Sequence, residues 1–134
     1  MNLVIDIGNS SVKIGCFEAG KISNPVRITT VESLEQEVKK LNPSNIIDSS
    51  VATFPGNHNY AFSMHYPTLV LSHKTPLPVT LDYKTPETMG VDRIAAVVGA
   101  SVRNPSGDSF VLDMGSCITY DLITEGTIFK GGII

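Results

Sequence analysis

Apolar residues from Leu3 to Ile7 form a short, nearly continuous run, and Val12, Ile14 and Cys16 then alternate with Ser11, Lys13 and Gly15 at period two. Both stretches predict strands. Gly8, Asn9 and Ser10 supply the turn between them, and Ala19 with Gly20 marks the next turn before Lys21 to Thr30, giving a three-stranded antiparallel meander. Val31, Leu34, Val38 and Leu41 then recur at helical spacing behind a capping Thr30 or a near neighbour, and Asn42 and Pro43 end that helix. A strand is expected near Ile46 to Val51. Residues 52 to 67, with Pro55, Gly56, Asn57, Asn59 and Pro67, read as loop with at most a short helix. Leu69 to Leu71 and Val79 to Leu81 read as short strands separated by Pro76 and Pro78. A second helix starts at Val91, with Ile94, Ala95, Val98 and Val102 on its apolar stripe, and stops at Asn104, Pro105 and Gly107.

After a boundary near residues 104 to 108 the opening pattern returns. LVIDIGNS at residues 3 to 10 aligns with FVLDMGSC at 110 to 117, an offset of 107 residues. An alternating stretch follows each copy, and a glycine turn follows that, at Gly20 and Gly126. The pattern reads as internal duplication. It predicts two strand–turn–strand units, each with an Asp at the end of its first strand, in lobes that face each other across a cleft.

Composition narrows the function. The 134 residues carry a net charge of -3, with no clustered Lys and Arg, so no polyanion footprint is present and nucleic acid is not an expected partner. Nowhere do about 18 uninterrupted apolar residues occur, and no secretory signal opens the chain, so a soluble, cytoplasmic protein is expected, with no membrane partner. Cys16 and Cys117 both sit in strand-like apolar patterns and are expected to act as small hydrophobes. His58, His65 and His73 have none of the short spacings of a zinc site and read as surface or loop residues.

The chemistry concentrates in three segments. Asp6 lies one residue before its strand runs out, and Gly8 opens a turn whose backbone N–H groups can approach an anion. A carboxylate beside a phosphate needs a cation between them, so Asp6 implies magnesium, held directly or through water, with Lys13 adding fixed positive charge. In a single copy this would be an ordinary hairpin with a solvated Lys; the second copy shifts the balance. There Asp113 takes the place of Asp6, and Gly115, Ser116 and Thr119 offer turn backbone and hydroxyls. An unpaired buried carboxylate is costly, so Asp113 is expected to face a cation or the cleft. Asp121, on the same strand face as Thr119, is expected to face solvent. In the third segment, residues 85 to 100, Asp92 falls in the first turn of a helix, where the dipole alone would make it worth at most about 1 kcal/mol. Gly90 permits close approach of a ligand, and Arg93 can bind a carboxylate in bidentate fashion. An acid and a carboxylate-binding base at one helix start suit a hydroxy-acid substrate.

DIGNSSVK, TMGVDRIAAVVGA and VLDMGSCITYD, in this order and spacing, resemble the three motifs of type III pantothenate kinases, members of the duplicated acetate kinase, sugar kinase, Hsp70 and actin superfamily. The resemblance runs from residue 2 to residue 134. It implies an α/β, actin-like ATPase (ribonuclease H-like) fold with duplicated lobes, each a mixed sheet with flanking helices. Residues 1–106 would form the first lobe and 107–134 the start of a second, incomplete one, because GGII at 131–134 resembles the start of the family's glycine-rich segment. It implies transfer of the ATP γ-phosphate to the primary hydroxyl of pantothenate in coenzyme A biosynthesis. Asp6, Ile7, Gly8, Asn9, Ser10, Ser11, Val12 and Lys13 would form the ATP phosphate loop, and Ser116 would touch ATP. Tyr83, Gly90, Val91, Asp92 and Arg93 would bind pantothenate, with Asp92 as catalytic base. Asp113 would hold a monovalent cation such as potassium. Ser116 departs from the family's usual Thr, keeping the hydroxyl and losing the methyl. A homodimer is implied for the full-length protein, and a piece of 134 residues is expected to be inactive by itself. Two rivals remain: a sugar or acetate kinase of the same superfamily, against which the Gly-Val-Asp-Arg segment argues, and a non-catalytic regulatory or accessory protein retaining the fold.

Overall fold

The computed structural model describes residues 1–8, 11–23, 25–50, 61–115 and 117–134. The chain packs as two units, Met1–Leu71 and Ser72–Ile134.

The first unit is a mixed sheet. Strands β1 (Asn2–Ile7) and β2 (Val12–Glu18) form the expected antiparallel pair, and β1 also pairs in parallel with β5 (Asn45–Ser50), which pairs with β6 (Thr68–Val70). The segment expected as one strand over 21–30 is two short ones, β3 (Lys21–Ile22) and β4 (Val26–Ile28), both on β2. Pro25 between them has no N–H to give to a ladder. Register places Leu3, Ile5 and Ile7 beside Cys16, Ile14 and Val12 on one face. Helix α1 (Val31–Leu41) covers that face with Leu34 and Val38, and all of these except the half-buried Cys16 are buried. The helix begins where the Thr30 hydroxyl accepts from the Ser33 N–H at 3.2 Å, and it ends at Asn42 in the left-handed region, φ 45°. A 3-10 turn at Ala61–Met64 brings Phe62 into the same core. His58, and residues 52 to 60 of the segment read as loop, lie outside the described residues.

The second unit is a four-stranded mixed sheet in the order β7 (Thr80–Leu81), β10 (Ile128–Ile133), β9 (Ile118–Thr124), β8 (Ser109–Met114), with β7–β10 parallel and the rest antiparallel. Helix α2 (Val91–Arg103) packs on β8 and β9. Its buried stripe differs from the expected one. Arg93, Ile94, Val97 and Ser101 are buried, while Val102 is 71% exposed. The helix therefore turns the Arg93 side to the sheet.

The two hairpins correspond closely. Their strands have matching lengths, and the turns that follow hold Ala19 and Gly20 in one copy and Glu125 and Gly126 in the other, all four at positive φ. The offset is not constant, however. It is 107 residues between β1 and β8 and 106 between β2 and β9, because the intervening turn is one residue shorter in the second copy. Gly8 N–H bonds Ser11 C=O at 3.1 Å, and Gly115 N–H bonds Cys117 C=O at 3.0 Å. The two packing units divide at residue 71, and α2 belongs to the second. Cys16 is half-buried against the first core, but Cys117 is exposed at the second turn rather than acting as a buried hydrophobe.

Candidate active site

In the first unit, Asp6 stands opposite Lys13 across the β1–β2 ladder, on the face away from α1. The Lys13 ammonium is 3.6 Å from the Asp6 carboxylate; Lys13 is exposed and Asp6 partly so. Such a pair contributes little stability and leaves both groups within reach of a ligand. Ile7 and Val12 of this loop are core residues and Ser11 is buried, so Asp6, Gly8 and Lys13 carry its accessible chemistry among the described residues. The Gly8 N–H is used inside the turn. A Cβ at Gly8 would meet only the Ser11 carbonyl oxygen, at an ordinary 3.5 Å, so nothing within the chain crowds that position. Asn9 and Ser10 lie outside the described residues, as does Ser116.

In the second unit, α2 starts at Gly90, whose carbonyl accepts from the N–H groups of Arg93 and Ile94 at 3.1 and 3.3 Å. The Asp92 carboxylate folds back on this turn, Oδ1 accepting from the Arg93 N–H at 2.8 Å, while Oδ2 has no hydrogen bond among the described residues. This explains Gly90 locally: a Cβ there would collide with Asp92 Oδ1. Glycine at 90 makes room for the carboxylate of its own helix, a role distinct from the ligand approach expected of it.

Arg93 does bind a carboxylate, and it is that of Asp121. Nε lies 3.1 Å from both Asp121 oxygens, and Nη2 also donates to Oδ1. The pair is deeply enclosed, Arg93 being 6% and Asp121 1% exposed. Asp121 is thus a core residue and does not face solvent as expected. The hydrogen bonds that Arg93 donates to Asp121 raise the Arg93 pKa above its ordinary value; burial opposes this, and the charge of Asp121, with smaller contributions from Tyr83 and Asp92, adds to it. Tyr83 stacks on Phe129, with ring centroids 6.4 Å apart. Its ring also lies against Gly131, at φ 95°, where a Cβ would come within 2.8 Å of Tyr83 Cδ2. Gly90, Val91, Asp92 and Arg93 thus share the first turn of α2, while Tyr83 packs on β10 of the same unit.

Asp113 and Thr119 face each other across β8–β9, on the same side of the sheet as Asp121. Asp113 is exposed, so the cost of burying a charge does not bear on it. Among the described residues no three His, Cys, Asp or Glu side chains cluster as a metal site.

These motifs belong to a known family. The family model for type III pantothenate kinases matches residues 2–134. The chain belongs to the type III pantothenate kinase family. Curated relatives include the type III pantothenate kinases of Phocaeicola vulgatus, 38% identical over 137 residues, and Cytophaga hutchinsonii, 37% identical over 136 residues. Each alignment covers 100% of this chain but only 57% and 56% of the relative. The chain thus spans a little over half the length of the curated relatives it matches. Among solved structures, YeaZ from Pseudomonas aeruginosa is similar at a TM-score of 0.37 and 10% identity, over 94% of this chain and 62% of that one.

Sequence reasoning missed the place of Asp121. The signal was present: Asp121 and Ile123 share a strand face at period two, and Arg93 lies four and eight residues before the buried Val97 and Ser101. A charge on each buried stripe, with opposite signs, is the pattern of an internal ion pair.

Proposed function

We propose that this protein transfers the γ-phosphate of ATP to the primary hydroxyl of pantothenate, the first step of coenzyme A biosynthesis. The observation that carries the reading is the turn of Gly90, Asp92 and Arg93 at the start of α2 in a chain of this family. Asp92 is held through Oδ1, which leaves Oδ2 to take the proton of the attacking hydroxyl. Arg93 keeps three N–H groups beyond those given to Asp121, and these with Tyr83 orient pantothenate.

The turn at residues 6–13 takes the phosphates of ATP, where uncrowded Gly8 and exposed Lys13 meet the anion. Ser11, Ile7 and Val12 shape that turn, with Asn9 and Ser10 completing it, and Ser116 adds a hydroxyl contact to ATP. The partly exposed Asp6 fits one oxygen ligand of a magnesium ion otherwise bound by phosphate and water. Asp113, opposite the Thr119 hydroxyl, offers the oxygen donors that suit potassium or another monovalent cation. Bound metal ions would neutralise phosphate charge during transfer. The wider reading is an actin-like ATPase fold of two duplicated lobes, divided near residue 106, in a cytoplasmic homodimer.

Family membership disfavours both the sugar or acetate kinase and the non-catalytic accessory protein. The test is ADP release by the full-length protein with ATP, magnesium and potassium, with and without pantothenate. Release that requires pantothenate is expected; release indifferent to it overturns the reading.

A further inference from the structure

We infer that Asp121 is a positioning residue for Asp92: by holding the Arg93 guanidinium on β9, it fixes the first turn of α2 and with it the carboxylate that takes the substrate proton. The inference rests on the kinase reading above.

Four observations converge on it. Arg93 and Asp92 are adjacent, and the Arg93 N–H is itself the donor that holds Asp92 Oδ1 at 2.8 Å. Any shift of the Arg93 backbone therefore moves the base. The Arg93 side chain is gripped by its side-on edge, with Nε within 3.1 Å of both Asp121 oxygens and Nη2 closing the fork. Two points of attachment fix the plane of the guanidinium as well as its distance. The third strand leaves room beside this grip: Gly132 stands opposite Asp121 in the β9–β10 ladder, and a Cβ there would collide first with the Tyr120 carbonyl and would also lie 2.6 Å from Asp121 Oδ1. Finally, α2 begins without a side-chain cap from Gly90, so its first turn takes its side-chain anchorage from Asp92 and Arg93 among the described residues.

A buried ion pair is a poor source of net stability, and apolar side chains of similar volume often replace one without loss. That property separates positioning from folding. The experiment uses the full-length protein as parent, Asp121→Asn, and the apolar double variant Arg93→Met with Asp121→Leu. Each is also made with Asp92→Asn. Hydrogen exchange of the amides at residues 92–94, turnover with saturating pantothenate and ATP, and thermal melting are read for all.

Both variants at 121 are expected to speed exchange at 92–94 by about tenfold or more while exchange in β1 and β2 is unchanged. Their turnover should fall by about 10- to 100-fold, as for a catalytic group displaced by about 1 Å, with the double variant melting within a few degrees of the parent. In the Asp92→Asn background Asp121→Asn, which keeps Arg93, should lower turnover by less than about twofold, because residues that act as one unit are not additive. Full additivity overturns the inference, as does unchanged turnover in a folded variant. If neither variant folds, the pair is a structural anchor and the inference is likewise overturned. A parent that shows no pantothenate-dependent turnover removes the kinase reading and the catalytic inference with it. Faster exchange at 92–94 in the variants would then leave Asp121 only as the anchor of the turn. Pantothenate-dependent turnover in the parent, with unaltered exchange in the variants, removes this inference alone.

Discussion

Asparagine at position 92 would be nearly isosteric with aspartate and could still accept the Arg93 N–H, but it cannot take a proton. Asp92→Asn in the full-length protein is therefore expected to lower turnover by about 10²- to 10⁴-fold with pantothenate binding largely kept. Steady-state kinetics beside calorimetric binding checks this; near-normal turnover would remove Asp92 from the mechanism. Gly90 gives a second test. Alanine is acceptable to its backbone, at φ -59°, yet the new Cβ would collide with Asp92 Oδ1. Gly90→Ala should cost the fold only about 1 kcal/mol as a poorer N-cap, while turnover falls by about tenfold or more because the carboxylate is displaced. A melting temperature and a turnover number together decide it, and a drop confined to the melting temperature would contradict the role given to this glycine. Asp92, Gly90 and Arg93 were legible as a cluster from their spacing. Their arrangement was not, since whether Arg93 turns toward a ligand or toward Asp121 depends on a strand that begins 25 residues later.

At the scale of elements, local signals decided what could be read. Helix α1 was legible from its apolar spacing and its ends, because Thr30 caps and Asn42 adopts the left-handed conformation within the helix's own neighbourhood. Replacing Thr30 by Ala removes the acceptor of the Ser33 N–H and is expected to destabilise the protein by about 1 kcal/mol. Urea unfolding would show this as a lower midpoint at unchanged slope, and an unchanged midpoint would mean the cap is replaced by solvent. The stripe of α2 was misjudged for the opposite reason. Hydropathy alone favours Val102 over Arg93 as a buried residue, and only the Asp121 carboxylate on β9 makes burial of the guanidinium tolerable. Likewise β3 and β4 are two strands because one proline interrupts a segment whose apolar pattern suggested one.

At the scale of the molecule, the second sheet has a face that period-two patterning announced but did not interpret. Phe110, Leu112 and Met114 on β8 stand in register with Leu122, Tyr120 and Ile118 on β9, and all six are at least 40% exposed. β10 lies between β7 and β9, so the apolar surface is a face of the sheet and not the edge of its last strand. An exposed patch of this kind favours association. The 134-residue chain is expected to sediment as a self-associated species, and Phe110→Lys with Leu112→Glu should shift it toward monomer; a monomeric parent would contradict this. The family itself was legible from three motifs in order, because each is short and contiguous in sequence. The measurement that bears most directly on the central claim is mass spectrometry of the products formed by the full-length protein from ATP and an equimolar mixture of pantothenate, acetate and a panel of sugars. Phosphorylated pantothenate as the dominant product is predicted, and phosphorylated sugar or acetate without phosphorylated pantothenate would contradict it.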